Sequence, residues 1–142
     1  MLKVYTDGAC KGNPGTGGWG IYIETTNEMY AGLGYKNTTN NIMELTAIIR
    51  ALEATESCVG QVEILSDSAY CVKGINEWLQ GWKKKNWTTA SGTPVKNKDL
   101  WQRIDTLKRT HRANLTFTKV KAHCGIRGNE IADKLATGEL KC

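Results

Sequence analysis

Long apolar runs are missing from this sequence. No stretch approaches the roughly 18 residues that a bilayer-spanning helix requires, and the opening MLKVYTD lacks the charged-then-apolar layout of a signal peptide. Neither a membrane protein nor an exported one is expected, and the cytoplasm is the expected location. Closely paired cysteines are missing too. The five cysteines, Cys10, Cys58, Cys71, Cys124 and Cys142, are odd in number, lie far apart and include no CxxC pair. Neither a disulfide framework nor a zinc site is indicated, and they read as reduced thiols. Internal repeats and low-complexity segments are also absent, which argues against a solenoid or an array.

What remains has the size and mix of one globular domain with a single core: 142 residues, 40% hydrophobic and 23% charged. The net charge of +5 suggests an anionic partner, but only weakly, because basic solvated surfaces are common.

Three segments alternate and carry β-branched and aromatic residues: LKVYTD, WGIYIETT and MYAGLGYK. Short polar connections between them predict a three-stranded meander. In NNIMELTAIIRALEAT, Leu45, Ile48, Ile49 and Leu52 form the apolar stripe of a helix, with Asn40 or Asn41 available as its cap and Glu44 in or near its first turn. VEILSDS reads as a buried strand, and the following SAYCVKGINEWL has helical spacing at Val72, Ile75 and Leu79. From Trp82 to Lys98 there are five lysines, no acid, and the turn formers Gly92 and Pro94, a basic excursion. KDLWQRIDTLKRTH then reads as helix, LTFTKVKAH as strand and GNEIADKLAT as a closing helix. The order is βββ, α, β, α, α, β, α.

A right-handed crossover through the first helix lays the fourth strand parallel and adjacent to the first. Asp7 and Asp67 then stand at the carboxyl ends of neighbouring strands about 4.8 Å apart, the edge at which such sheets bind ligands. Each acid has a plainer explanation when taken singly. Asp7 before Gly8 suits a turn, Asp67 a helix cap, Glu44 a dipole-complementing acid, and Asp133 an exposed helical face. Jointly they are harder to dismiss, because like charges packed together repel and raise one another's pKa unless a cation neutralises them. Magnesium does so with hard oxygen ligands, and a pair of such ions can activate water and stabilise a leaving oxygen in phosphodiester cleavage.

The blocks YTDGACKGNPGTGGWG, TTNNIMELTA, ILSDSAYCVKGI, WLQGWKKKNW, PVKNKDLW and VKAHCGIRGNEIADKLA span nearly the whole chain. Together they resemble the signature blocks of ribonuclease H type 1. The resemblance implies an α/β ribonuclease H fold over residues 1–142 as one catalytic domain. Its mixed five-stranded sheet would run in the order 3-2-1-4-5, the first three strands antiparallel, flanked by helices, with a basic protrusion at about 78–98. It also implies a monomer that cuts the RNA strand of an RNA/DNA hybrid endonucleolytically with two Mg2+ ions, Mn2+ being able to substitute, and leaves 5′-phosphate and 3′-hydroxyl ends. Asp7, Glu44, Asp67 and Asp133 fall on the family's metal-binding acids. His123 matches a loop histidine that assists proton transfer or product departure, its plainer alternative being a solvated strand-end histidine.

The same resemblance assigns the substrate contacts. RNA is distinguished by its 2′-hydroxyl in a wide minor groove, where short polar side chains suit the task. Asn13, Asn40 and Asn41 match positions that contact the nucleic acid near the acids, and Thr39 part of a pocket for a DNA phosphate, with helix capping as the alternative for this run. Trp78, Trp82, Lys83, Lys84 and Lys85 resemble a strand-gripping protrusion, against the alternatives of core aromatics and a solvated lysine face. Trp87 and Trp101 are the better candidates for core. Three positions depart from the usual pattern: Asn37 where arginine is frequent, Ala69 where glutamine is frequent, and Ala122 where glycine is common. The departures at Asn37 and Ala69 point to a weaker or differently distributed grip on substrate.

Overall fold

The computed structural model describes residues 1–141, so the reading of Cys142 as a reduced thiol lies outside the described residues; Cys10, Cys58, Cys71 and Cys124 are free thiols. Three strands open the chain, β1 (Leu2–Gly12), β2 (Gly15–Ile23) and β3 (Glu28–Thr38), followed by α1 (Asn40–Ala54) and β4 (Gln61–Ser66). Helix α2 (Ala69–Lys73) runs through a π-helical turn (Gly74–Trp78) into α3 (Leu79–Lys84). After a bulging loop come α4 (Lys98–Thr110), β5 (Asn114–Lys119) and α5 (Arg127–Thr137). The strands form one sheet in the order β3-β2-β1-β4-β5, as expected. β1 and β2, and β2 and β3, pair antiparallel, while β1 and β4, and β4 and β5, pair parallel. Among the described residues no helix is long and apolar enough to cross a membrane.

The middle of the sheet is covered on both faces, which explains why β4 reads as a short apolar run. On one face Val4, Ile21, Ile23, Val62 and Ile64 pack with the α1 stripe of Leu45, Ile48 and Leu52 and with Trp101 and Ile104 of α4. On the other, Tyr5, Tyr22 and Leu65 pack with Ala132 of α5. Close approach is what requires glycine at two positions. A Cβ on Gly20 would lie 2.4 Å from the carbonyl oxygen of Ala132, so α5 rests almost directly on the β2 backbone. A Cβ on Gly8 would lie 2.3 Å from the amide nitrogen of Glu44, so β1 and the start of α1 touch main chain to main chain.

Several boundaries differ from the sequence expectations. β1 does not stop at Asp7 but continues to Gly12, paired with β2 throughout; what ends there is its pairing with β4, whose last rung is Thr6 with Ser66. β5 stops at Lys119, leaving His123 well past the strand. The helix after Asp67 extends to Lys84, because the π turn re-phases it at Gly74, where any side chain would collide with the ring of Trp101. The cap of α1 is Thr39 rather than Asn40 or Asn41. Its hydroxyl accepts from the Ile42 amide at 3.1 Å, and both asparagines fall inside the helix.

Candidate active site

Three elements converge where the parallel pairing of β1 and β4 ends. Asp7 lies in β1 one residue past the last rung, Asp67 in the bend one residue past β4, and Glu44 in the second turn of α1, not its first. One oxygen from each of the three carboxylates lies within 4.8 Å of the others. The shared anchor is the Gly8 amide, which donates to Glu44 Oε1 at 2.9 Å and to Asp7 Oδ1 at 3.0 Å. The Gly8 contact between β1 and α1 thus makes a single N–H available to two acids from different elements. Asp67 is presented by a loop whose serines satisfy its backbone: Ser66 Oγ accepts from the Ser68 amide, and Ser68 Oγ caps α2 by accepting from Cys71. Asp67 is therefore not a helix cap.

Asp133, half-buried on α5, lies outside the three-carboxylate cluster but close enough to Asp7 to affect its protonation. Asp7 is 4% exposed. Burial first, then the charge of Asp67 and the neighbouring Asp133, push its pKa up to about 8, against a small opposing effect of the Gly8 amide. Glu44 is raised well above the ordinary carboxylate range by burial and by the charges of Asp7 and Asp67. A cluster that cannot carry its full negative charge alone, built of hard oxygen donors with no sulfur or imidazole among them, fits a divalent cation such as magnesium.

The remaining expected residues lie on the β1–β2 hairpin, the start of α1, the β5–α5 loop and the protrusion. Asn13 is exposed at the tip of the β1–β2 hairpin, and its Oδ1 accepts from the Asn40 amide at 3.2 Å, fastening the hairpin to the start of α1. Asn40 and Asn41 are exposed and Thr39 half-exposed at that helix end. His123 stands exposed on the loop between β5 and α5 with φ of 54°. Trp78 is exposed, but Trp82 is not free for a ligand on both faces: it packs partly buried on the core, 5.1 Å from the ring of the fully buried Trp101 and 5.9 Å from Trp78. Lys83 also departs from a solvated role, because its Nζ pairs with Asp105 at 3.1 Å. Lys84 and Lys85 are exposed. Lys85, Trp78, Trp82 and Glu77 help line a groove of about 320 Å³ on the protrusion.

Sequence reasoning passed over one residue at the centre. Asn129, 3% exposed, donates from Nδ2 to Asp67 Oδ2 at 3.3 Å. Its signal was available, since it precedes Asp133 by four residues and so shares a helix face with it.

A sequence model of the RNase H family matches residues 1–141. Ribonuclease H of Thiobacillus denitrificans is 50% identical over 137 residues, covering 96% of this chain and 90% of the relative. Ribonuclease H of Cupriavidus pinatubonensis is 53% identical over 135 residues, covering 94% and 90%. Among solved structures, the crystal structure of LC11-RNase H1 in complex with RNA/DNA hybrid is similar with a TM-score of 0.71 at 27% identity, covering 99% of this chain and 100% of that one. The chain belongs to the RNase H family and is an enzyme of that class.

Proposed function

We propose that residues 1–142 act as a single catalytic domain that hydrolyses the RNA strand of RNA/DNA hybrids, cutting internally and leaving 5′-phosphate and 3′-hydroxyl ends. The observation that carries this reading is the convergence of Asp7, Glu44 and Asp67 within 4.8 Å at the end of the parallel pairing, with Asp7 held at a raised pKa. Those three acids and Asp133 would hold two Mg2+ ions, for which Mn2+ could substitute. Bound there, the metal supplies an activated water and charge stabilisation at the leaving oxygen.

The chain's own residues do the positioning. Gly8 fixes one oxygen of Asp7 and one of Glu44, leaving each carboxylate its second oxygen. His123, on a loop flanked by Gly125 with φ of 77°, is read as the group that visits the leaving side to carry a proton or aid product departure. The exposed amides of Asn13, Asn40 and Asn41 are suited to donate to and accept from 2′-hydroxyls. Thr39 spends its acceptor on the helix cap and keeps its O–H to donate to a phosphate, at a helix end that itself favours anions. Trp78, Lys84 and Lys85, with Trp82 beneath them, would hold the DNA strand on the protrusion at about 78–98; Lys83 supports that surface through Asp105. A cytoplasmic monomer suits this reading.

The test is incubation with matched RNA/DNA hybrid, duplex RNA and duplex DNA, each labelled on one strand, with magnesium, with manganese and with chelator. Internal cuts in the RNA of the hybrid alone, dependent on divalent metal, are expected. Cleavage of duplex DNA, or of hybrid RNA in chelator, would overturn the proposal.

A further inference from the structure

We propose that Asn129 is a positioning residue, whose buried carboxamide orients the Asp67 carboxylate for metal and ties it to the helix that carries Asp133. Among the described residues it is the one side-chain donor hydrogen-bonded to Asp67. The serines on either side of Asp67 bond the nearby Ser68 and Cys71 amides and make no bond to its carboxylate. A hydrogen bond to Oδ2 fixes the rotation of that carboxylate and so the direction of its other oxygen. Asparagine suits this task better than lysine or arginine, because a neutral donor restrains the acid without a positive charge that would compete with the cation. At 3% exposure the Asn129 side chain is largely shut off from water, so the bond is costly to leave unmade.

Asn129 is not needed simply to dock α5. Its docking is secured elsewhere, by the contact of Ala132 with Gly20, by Gly128 against the ring of Tyr5, and by Arg127, whose Nη1 donates to the Tyr22 hydroxyl at 3.0 Å. Its distinctive contribution is to the relation between Asp67 and Asp133, one helical turn away. Partners that orient metal ligands in this way typically account for 10–100-fold in metal affinity or activity.

The inference rests on Asp67 being a metal ligand, and the experiment separates the two. Magnesium binding to the substrate-free protein is measured by calorimetry for wild type, Asp67→Asn, Asn129→Leu and Asn129→Ala, alongside metal-free melting and the magnesium dependence of hybrid cleavage. Asn129→Leu keeps the shape and removes the donor, whereas Asn129→Ala leaves room for a water to donate in its place. Magnesium affinity should fall about 10–100-fold in Asn129→Leu and less in Asn129→Ala, with the turnover number largely restored at high magnesium. A packing role predicts the reverse order, Ala worse than Leu, in melting temperature. If wild type and Asp67→Asn bind magnesium alike, the metal-ligand reading of Asp67 fails. If wild type binds and Asn129→Leu binds within twofold of it, the positioning role fails instead. Failure of both Asn129 variants to fold would also overturn it, since the residue would then be holding the fold rather than the ligand.

Discussion

Without metal, the folded chain keeps protons on the acidic cluster that the unfolded chain has already released. For Asp7 the two states differ between its ordinary pKa of 3.8 and about 8, the folded value being the higher. Stability linked to this proton is therefore fully present at acid pH and is lost as the pH climbs through that window, by up to about 1.4 kcal/mol per unit. From pH 4 to 7 the ceiling for Asp7 alone is about 4 kcal/mol, of which relaxation and water entry leave a gain of about 1–3 kcal/mol for Asp7→Asn near neutral pH. Asparagine keeps an oxygen for the Gly8 amide, so the bond at 3.0 Å survives the change. At about 2–4 °C per kcal/mol for a chain near this size, Asp7→Asn should melt about 3–10 °C above wild type at neutral pH in chelator. The two proteins should converge toward pH 4. Saturating magnesium should close the gap from the other side, by stabilising wild type more than the variant. The measurement is circular-dichroism melting of both proteins in chelator across the window. A difference that stays constant with pH, or grows toward acid, would refute the reasoning.

Asp67→Asn should lower hybrid cleavage about 10²–10³-fold or more with the fold intact, measured by steady-state kinetics at saturating metal; retention of more than a tenth of the wild-type rate removes Asp67 from the metal site. His123→Ala should lower the turnover number by no more than about 10²–10⁴-fold, with KM and calorimetric magnesium affinity unchanged. A loss of magnesium affinity would make His123 a ligand. The lysines should divide. Lys84 and Lys85 replaced together by alanine should raise KM and flatten the dependence of log KM on log salt by up to about 2, since each phosphate contact adds about 0.9 to the slope. Lys83→Ala should instead cost about 1 kcal/mol of stability by withdrawing one partner from buried Asp105, which keeps Arg109 at 3.2 Å.

Two patterns make the elements and the pairing of Asp7 with Asp67 legible in the chain, whereas the full strand order and the roles of Glu44 and Asp133 come through the resemblance to ribonuclease H type 1. Alternation and helical spacing locate every strand and nearly every helix, and the handedness of the β1–α1–β4 crossover sets Asp7 beside Asp67. Contacts between residues distant in sequence were not legible. Nothing local to Gly8 announces that its amide serves Glu44, 36 residues away, because that bond exists only once β1 and α1 touch backbone to backbone. Asn129 stands in the same block as Asp133, but its bond to Asp67 spans 62 residues. The cap of α1 differs from expectation because capping propensity ranks asparagine above threonine and so favours Asn40 or Asn41 over Thr39. The hairpin decided it, since Asn13 takes the Asn40 amide and Thr39 is left to cap.

The protrusion shows how a motif read as one surface can consist of two layers. WKKKNW presents tryptophan and three lysines in a row, and on sequence grounds they are equivalent. The π turn at Gly74–Trp78 rotates the following helix so that Trp82 is directed onto Trp101, whose Nε1 donates to the Tyr70 hydroxyl at 3.1 Å. Asn97, the residue before α4, donates to the same hydroxyl at 3.2 Å. Tyr70 therefore links the beginning of this helical segment to the far end of the protruding loop, and Trp82 and Lys83 complete the fastening from inside, through Trp101 and Asp105 of the same α4. Lys84 and Lys85 of the motif, with Trp78 one helical turn before it, remain exposed and are the members that the proposed function brings to a nucleic-acid strand. A rigid mount has an energetic consequence: a surface already ordered before binding loses less side-chain and loop entropy when the strand arrives, so few exposed cations can suffice. Substitutions in the inner layer should therefore weaken binding only indirectly, by loosening the mount, whereas those in the outer layer act on the strand itself.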